Sequence, residues 1–163
     1  MLGIDPGTVR LGYGVIDLFP TGAIRYVECG VITVSARASR YARLSEIATS
    51  LRELCRESAP AVMAMEEAFF GKNVQSTLAL GEARGAAMVV AAEAGLALAG
   101  YPPATVKKMV TGHGRATKDQ IGYLVRALLG LRRVPAPDAA DALAIAICHA
   151  RVGSMPTSTR GAR

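Results

Sequence analysis

The chain has few cysteines and histidines and no long apolar run. Its three cysteines, Cys29, Cys55 and Cys148, are odd in number and far apart, so they form neither a CxxC pair nor a zinc-ligand spacing. Its two histidines, His113 and His149, belong to no Ser-His-Asp or Cys-His arrangement. No apolar run is long enough for a membrane span, and the first residues lack the features of a secretory signal. We therefore expect a cytoplasmic protein with reduced thiols, in which any hydrolysis relies on metal-activated water.

Acidic residues are scarce, and the basic residues are unevenly placed. The 163 residues include 13 acidic and 19 basic side chains, which gives a formal net charge of +6. Residues 105–133 alone carry that net charge, because a single acid, Asp119, opposes seven basic residues there: Lys107, Lys108, Arg115, Lys118, Arg126, Arg132 and Arg133. Such a concentration is typical of proteins that bind a phosphate backbone, although solvated helix faces would explain it equally well.

The first third of the chain predicts β-strands. Residues 2–5 form a short apolar stretch before the turn signal Pro6-Gly7, and residues 12–18 and 23–34 alternate as paired antiparallel strands do. Gly12 and Gly14 reduce the bulk of the second strand, which predicts a bulge or a close approach of another backbone.

The remainder predicts helices that alternate with single strands. Residues 41–55 and 75–94 have helical patterns, the run at 61–65 suits a central strand buried on both faces, and 96–99 suits a further strand. The sequence Tyr101-Pro102-Pro103 is expected to interrupt regular structure. Thr117 and Gln120 fit a capping box, and Pro137 is well placed to begin a last helix. We predict one α/β domain over residues 1–152, with a mixed central sheet flanked by helices, and a disordered basic tail over 153–163.

Four carboxylates stand against apolar segments. Asp5 ends the first strand, Glu66 follows the run at 61–65, and Asp138 and Asp141 lie three apart in the Ala-rich last helix. That spacing places the last two on one helical face. Acids in such surroundings are costly to desolvate unless a cation compensates them. Oxygen ligands suit a hard divalent cation, so these residues predict a metal site.

Asp5 and Asp138 also have simpler interpretations, whereas Asp141, flanked by small apolar residues, is less easily explained in this way. An Asp before Pro-Gly is often a turn former, and the phrase Asp5-x-Gly7-Thr8 also occurs in the phosphate loop of actin-like ATPases. Asp138 suits the positive end of a helix dipole. Glu66 and Glu67 are adjacent and point to opposite faces of a strand, so periodicity does not decide which one faces a site.

Several motifs follow one another in the order typical of a single family. The chain resembles the RuvC family of Holliday junction resolvases over about residues 1–150, through Ile4-Asp5-Pro6-Gly7, Gly12-Tyr13-Gly14, Met65-Glu66-Glu67-Ala68-Phe69, Lys72-Asn73, Leu80-Gly81-Glu82-Ala83-Arg84-Gly85, Val106-Lys107, the loop 112–118 and the segment 138–147.

The resemblance implies an RNase H-like fold and an endonuclease that resolves four-way DNA junctions by paired symmetric nicks, in homologous recombination and DNA repair. It favours Glu66 over Glu67 and implies that two Mg²⁺ ions, which Mn²⁺ can replace, are bound by the catalytic residues Asp5, Glu66, Asp138 and Asp141. The DNA contacts that we expect are Phe69, Lys107, Arg115 and Lys118, with Phe69 stacking near the junction centre. The implied partners are junction DNA, a second copy of the chain bound through the helix at 75–94, and a branch-migration complex.

Three other functions fit part of the pattern. An actin-like ATPase or sugar kinase would share the Asp5 motif, but those folds need two duplicated domains and about twice this length. A junction-binding protein without catalysis would not need clustered acids, which repel DNA unless a metal neutralises them. A ribonuclease or another nuclease of the same fold is the nearest alternative, and its substrate would distinguish it.

Overall fold

The computed structural model describes residues 1–67, 73–112, 114 and 116–153. The predicted DNA contacts Phe69 and Arg115, together with His113, lie outside the described residues. The same holds for the predicted disordered tail beyond Gly153, which itself ends the last helix.

The described part of the chain forms five strands and five helices around one mixed sheet. The strand order is β3-β2-β1-β4-β5. The first three strands pair antiparallel, whereas β4 and β5 join β1 in parallel, which confirms the predicted mixed sheet. The elements in chain order are β1 (Leu2–Asp5), β2 (Arg10–Leu18), β3 (Ile24–Thr33), α1 (Arg40–Ser58), β4 (Val62–Glu66), α2 (Val74–Glu93), β5 (Ala97–Tyr101), α3 (Pro103–Thr111), α4 (Lys118–Leu128) and α5 (Pro137–Gly153).

The helices cover the two faces of the sheet and form two apolar cores. On one face α1 and α2 pack on the sheet through residues such as Leu51 and Val90. On the other face α3, α4 and α5 pack through residues such as Val106, Val125 and Ile145. Burial of these apolar side chains on both faces is the main stabilising contribution to the layered fold.

Helix α5 lies unusually close to the sheet because glycines face it. A Cβ atom at Gly3 would stand 2.1 Å from the carbonyl oxygen of Ala142, and one at Gly12 would stand 2.0 Å from the carbonyl oxygen of Asp138. Only glycine permits such an approach, which confirms the prediction made from Gly12 and Gly14. The contact sets the start of α5 beside the end of β1, since Gly12 pairs with Asp5 across the sheet.

The helix starts follow the sequence signals with one exception. Thr117 and Gln120 form the predicted capping box at the start of α4. The predicted interruption at 101–103 is confined to Pro102, which separates β5 from α3, and Pro103 itself begins a helix that the sequence pattern did not indicate. Proline suits the first helical position, where its fixed φ is helical and its missing N–H would have no partner.

Two further expectations concern thiols and membranes. All three cysteines are free, as expected for reduced thiols, and Cys55 and Cys148 are buried. Over the described ranges, none of the helices combines the length and the hydropathy needed to span a bilayer.

Candidate active site

Three of the four predicted carboxylates line one cavity. Asp5 is the last residue of β1 and Glu66 the last residue of β4. Because β1 and β4 are parallel neighbours, with Ile4 paired to Met65, both acids emerge at the same edge of the sheet. The cavity has a volume of about 260 Å³, and its charged lining consists of Asp5, Glu66, Asp141, Lys107 and Lys118. We call it the central cavity.

The fourth carboxylate lies beside the central cavity rather than in its lining. Asp138 precedes Asp141 by about one helical turn at the start of α5. Its Oδ2 accepts a hydrogen bond from Nε of Arg10 at 2.7 Å. Asp138 is nevertheless close enough to add to the negative potential at Asp5. We refer to Asp5, Glu66, Asp138 and Asp141 together as the carboxylate set.

The central cavity is short of positive charge. Burial raises the pKa of Asp5 from 3.8 to about 7, and repulsion from Asp141, Glu66 and Asp138 adds to the rise while Lys118 opposes it. Burial also raises the pKa of Glu66, again with repulsion from Asp141 and with Lys118 and Lys107 opposing. The two lysines therefore do not compensate the acids fully, and a bound cation would relieve the remaining repulsion.

The donor set suits a divalent cation chemically but is not arranged as a ready-made site. Carboxylate oxygens are the ligands that Mg²⁺ and Mn²⁺ prefer. Within the described residues, however, no group of three or more His, Cys, Asp or Glu side chains is placed to hold a metal ion. Two members of the set bind cationic side chains instead: Asp138 binds Arg10, and Asp141 Oδ2 accepts from Nζ of Lys118 at 3.0 Å. Each contact engages the Oδ2 atom of its carboxylate, so the cationic side chain would compete with a metal ion for that oxygen.

Glu67 lines a second cavity, of about 250 Å³, which it shares with Asp5, Glu66 and Arg84. Its side chain passes Gly100, where an added Cβ would lie 3.2 Å from Cγ of Glu67. Arg84 donates a hydrogen bond to the carbonyl oxygen of Glu66 and so holds the end of β4. Glu66 is therefore the member of the acidic pair that reaches the central cavity.

His149 is remote from the carboxylate set. Its Nδ1 lies 2.6 Å from the hydroxyl of Tyr101, and the two form a hydrogen bond between α5 and the end of β5. Burial lowers the pKa of His149, with the positive N-terminus contributing. A neutral imidazole is therefore favoured near pH 7, which fits a structural role rather than that of a cation at the helix end.

The sequence did not assign roles to Arg10 and Arg84, although both contact the site. Arg84 belongs to the quoted motif at 80–85, and Arg10 lies between the Pro-Gly turn and the glycines of β2. Lys107 and Lys118 were predicted as DNA contacts, and both reach the central cavity.

Comparisons with known sequences point to one family. The model of the family described as crossover junction endodeoxyribonuclease RuvC matches residues 1–149. The crossover junction endodeoxyribonuclease RuvC of Halorhodospira halophila is 46% identical over 165 residues, which cover 100% of this chain and 98% of that protein. The protein of the same description from Roseiflexus sp. strain RS-1 is 45% identical, over 94% of this chain and 92% of that one.

Solved structures of the same family have the same architecture. Thermus thermophilus RuvC matches with a TM-score of 0.83 at 36% identity, over 94% of this chain and 98% of that one. The T. thermophilus RuvC in complex with a Holliday junction substrate matches with a TM-score of 0.86, again at 36% identity, over 94% of this chain and 95% of that one. The predicted RNase H-like fold is thereby confirmed.

Proposed function

This chain belongs to the RuvC family of crossover junction endodeoxyribonucleases, and we propose that it cuts four-way DNA junctions with the carboxylate set as its metal-binding catalytic residues. It is a Holliday junction resolvase, a divalent-metal-dependent nuclease of recombination and repair. The observation that carries the assignment of residues is the convergence of Asp5, Glu66 and Asp141 with two lysines around the central cavity.

The four carboxylates have different places in the proposed site. Asp5 lies at its centre, because all three other members of the set act on its charge. Glu66 stands on the β4 side, and Asp138 and Asp141 stand on the α5 side. The carboxylate set would hold the divalent ions, for which we propose two Mg²⁺ per site with Mn²⁺ as a substitute, and the ions would activate a water and offset the charge that develops on the phosphodiester.

Lys107 and Lys118 suit the role of binding the DNA phosphate next to the cut. Both reach the same cavity as the acids. The side chain of Lys118 remains 76% exposed, so its ammonium group is accessible to DNA. We propose that they position the scissile strand and that Phe69 and Arg115 make further contacts with the DNA. The support for junction DNA as the substrate is the family itself and the T. thermophilus relative, which was solved with a Holliday junction substrate.

A homodimer formed through α2 is part of the proposal. Val74, Leu78, Met88 and Val89 are exposed on this helix, and a Cβ atom at Gly81 or Gly85 would meet nothing within 4 Å. Exposed apolar and small residues at spacings of three and four suit a close helix–helix contact. An isologous dimer would match the approximate two-fold symmetry of a four-way junction and place two sites for paired nicks.

The remaining elements of the proposal rest on the family resemblance. We propose that residues 1–152 form the nuclease domain, that the protein acts in the cytoplasm, and that a branch-migration complex moves the junction through its sites.

The test is cleavage of a labelled, branch-migratable four-way junction beside a linear duplex and an RNA–DNA hybrid of matched sequence. Each substrate is incubated with Mg²⁺, Mn²⁺ or EDTA. We expect paired nicks confined to the junction and dependent on the metal ion. Cutting of the hybrid alone would instead indicate a ribonuclease, and tight junction binding without cutting in either metal would indicate a binding protein.

A further inference from the structure

Arg10 joins two distant parts of the chain at the edge of the carboxylate set. It is the first residue of β2, and its Nε donates to Oδ2 of Asp138, which lies 128 positions away in sequence, at 2.7 Å. The backbones of β2 and α5 are in close contact here, because Gly12 of β2 packs directly against the start of α5. The ion pair is therefore fixed by the contact between strand and helix rather than by a flexible loop.

The position of this pair distinguishes it from other arginine–acid pairs on the surface. Arg25 with Asp17 and Arg52 with Glu93 make similar contacts, at 2.6 Å and 2.8 Å, but they involve no member of the carboxylate set. Asp138 is 28% exposed and Arg10 is 55% exposed, so the guanidinium stands on the solvent side of the carboxylate. A cation that approaches Asp138 therefore meets a positive charge that already occupies one of its oxygens.

We propose that Arg10 is a positioning residue that substitutes for the metal ion at Asp138. In the metal-free protein its guanidinium neutralises and orients this carboxylate, and it competes with the divalent ion for it. Displacement of Arg10 from Asp138 is then a step of metal loading. The inference rests on the proposed function in one respect, namely that Asp138 is a metal ligand.

The competition predicts that removal of the positive charge tightens metal binding. Mn²⁺ is titrated into the DNA-free full chain and the free ion is followed by electron paramagnetic resonance, with calorimetry as a second measurement. Arg10→Gln should lower the Kd for Mn²⁺ about two- to fivefold, the range that corresponds to loss of one half-exposed ion pair. Arg25→Gln removes an equal charge from a similar pair near the other end of β2 and should leave the Kd unchanged. Arg10→Lys keeps the charge and should restore a Kd close to that of the unmodified chain.

The double variant Arg10→Gln/Asp138→Asn tests the mechanism. Because Arg10 acts through Asp138, the effect of Arg10→Gln should vanish when Asp138 is already Asn. An unchanged or weaker affinity in Arg10→Gln, or the same gain in Arg25→Gln, would overturn the proposal for Arg10 while leaving the metal site intact. If the unmodified chain binds no Mn²⁺, or if Asp138→Asn leaves binding unchanged, the metal role of Asp138 fails and the inference fails with it.

Discussion

Replacement of Asp5 by Asn should stabilise the metal-free protein at high pH. The pKa of Asp5 is about 7 in the folded protein, against an ordinary value of 3.8. Because the folded value is the higher one, the stability that Asp5 contributes is fully present below about pH 4 and is lost as the pH rises through about 7. Above pH 7 the ionised carboxylate therefore destabilises the fold relative to a neutral side chain of the same shape.

The size of the effect follows from the difference between the two pKa values. Each unit corresponds to about 1.36 kcal/mol, so the upper limit is about 4 kcal/mol. Solvent and salt screening reduce this for a side chain that is partly exposed, and we expect Asp5→Asn to raise the free energy of unfolding by about 1–3 kcal/mol at pH 8. Near pH 4 the two proteins should differ little.

Urea denaturation in EDTA at pH 4 and at pH 8 measures this difference. Asp17→Asn is the matched control, because Asp17 is an exposed acid paired with Arg25 and should give no stabilisation at pH 8. Addition of Mg²⁺ at pH 8 should then stabilise the unmodified chain more than Asp5→Asn, since a ligand stabilises only a fold that binds it. An Asp5→Asn variant less stable than the unmodified chain at pH 8, or a difference that does not depend on pH, would refute the reasoning and make Asp5 a structural residue.

Two other predictions concern packing and assembly. Gly12→Ala should lower the free energy of unfolding by about 3 kcal/mol or more, because its Cβ would collide with the backbone of Asp138. Gly114→Ala, whose Cβ would have its nearest atom at 3.7 Å, should change the free energy of unfolding by less than about 1 kcal/mol. Urea denaturation measures both variants, and equal losses would contradict the close packing at Gly12. If the chain forms the proposed dimer, Val89→Glu on α2 should convert it to a monomer in light scattering at micromolar concentration. Val27→Glu, at an exposed position of β3, should leave the dimer intact. A dimer that survives Val89→Glu would exclude this face.

The strand-end acids could be predicted from sequence because each follows a short apolar run of the kind that suits a buried strand. Asp5 and Glu66 belong to strands that are adjacent and parallel in the sheet, so the structure brings them together. Adjacency itself was not predictable, since strand order depends on contacts across the whole chain. The choice between Glu66 and Glu67 likewise needed the resemblance, because alternation gives two equivalent faces.

The short helix α3 shows where local patterns fail. Residues 101–103 suggested an interruption, yet Pro103 begins a helix of nine residues that buries only Val106 and Val110. Two buried positions are too weak a helical pattern to predict a helix directly after two prolines. The helix matters for the site because Lys107, which it carries, lines the central cavity.

The ion pairs of the site were beyond sequence analysis. Arg10 binds Asp138 across 128 positions, and Lys118 binds Asp141 across 23. Such pairs depend on where an exposed side chain finds a partner after the fold has formed. Both pairs engage carboxylates of the set, and within the described residues the set forms no ready-made metal site.

We propose that the carboxylate set is required to cut the junction and is not needed to bind it. The most direct measurement compares junction cleavage in Mg²⁺ with junction binding in EDTA for Glu67→Gln and for the four variants Asp5→Asn, Glu66→Gln, Asp138→Asn and Asp141→Asn. We predict that the four variants reduce cleavage to background while binding is retained, and that Glu67→Gln still cuts. Cleavage that persists in the four variants, or binding that disappears together with cleavage, would contradict the claim.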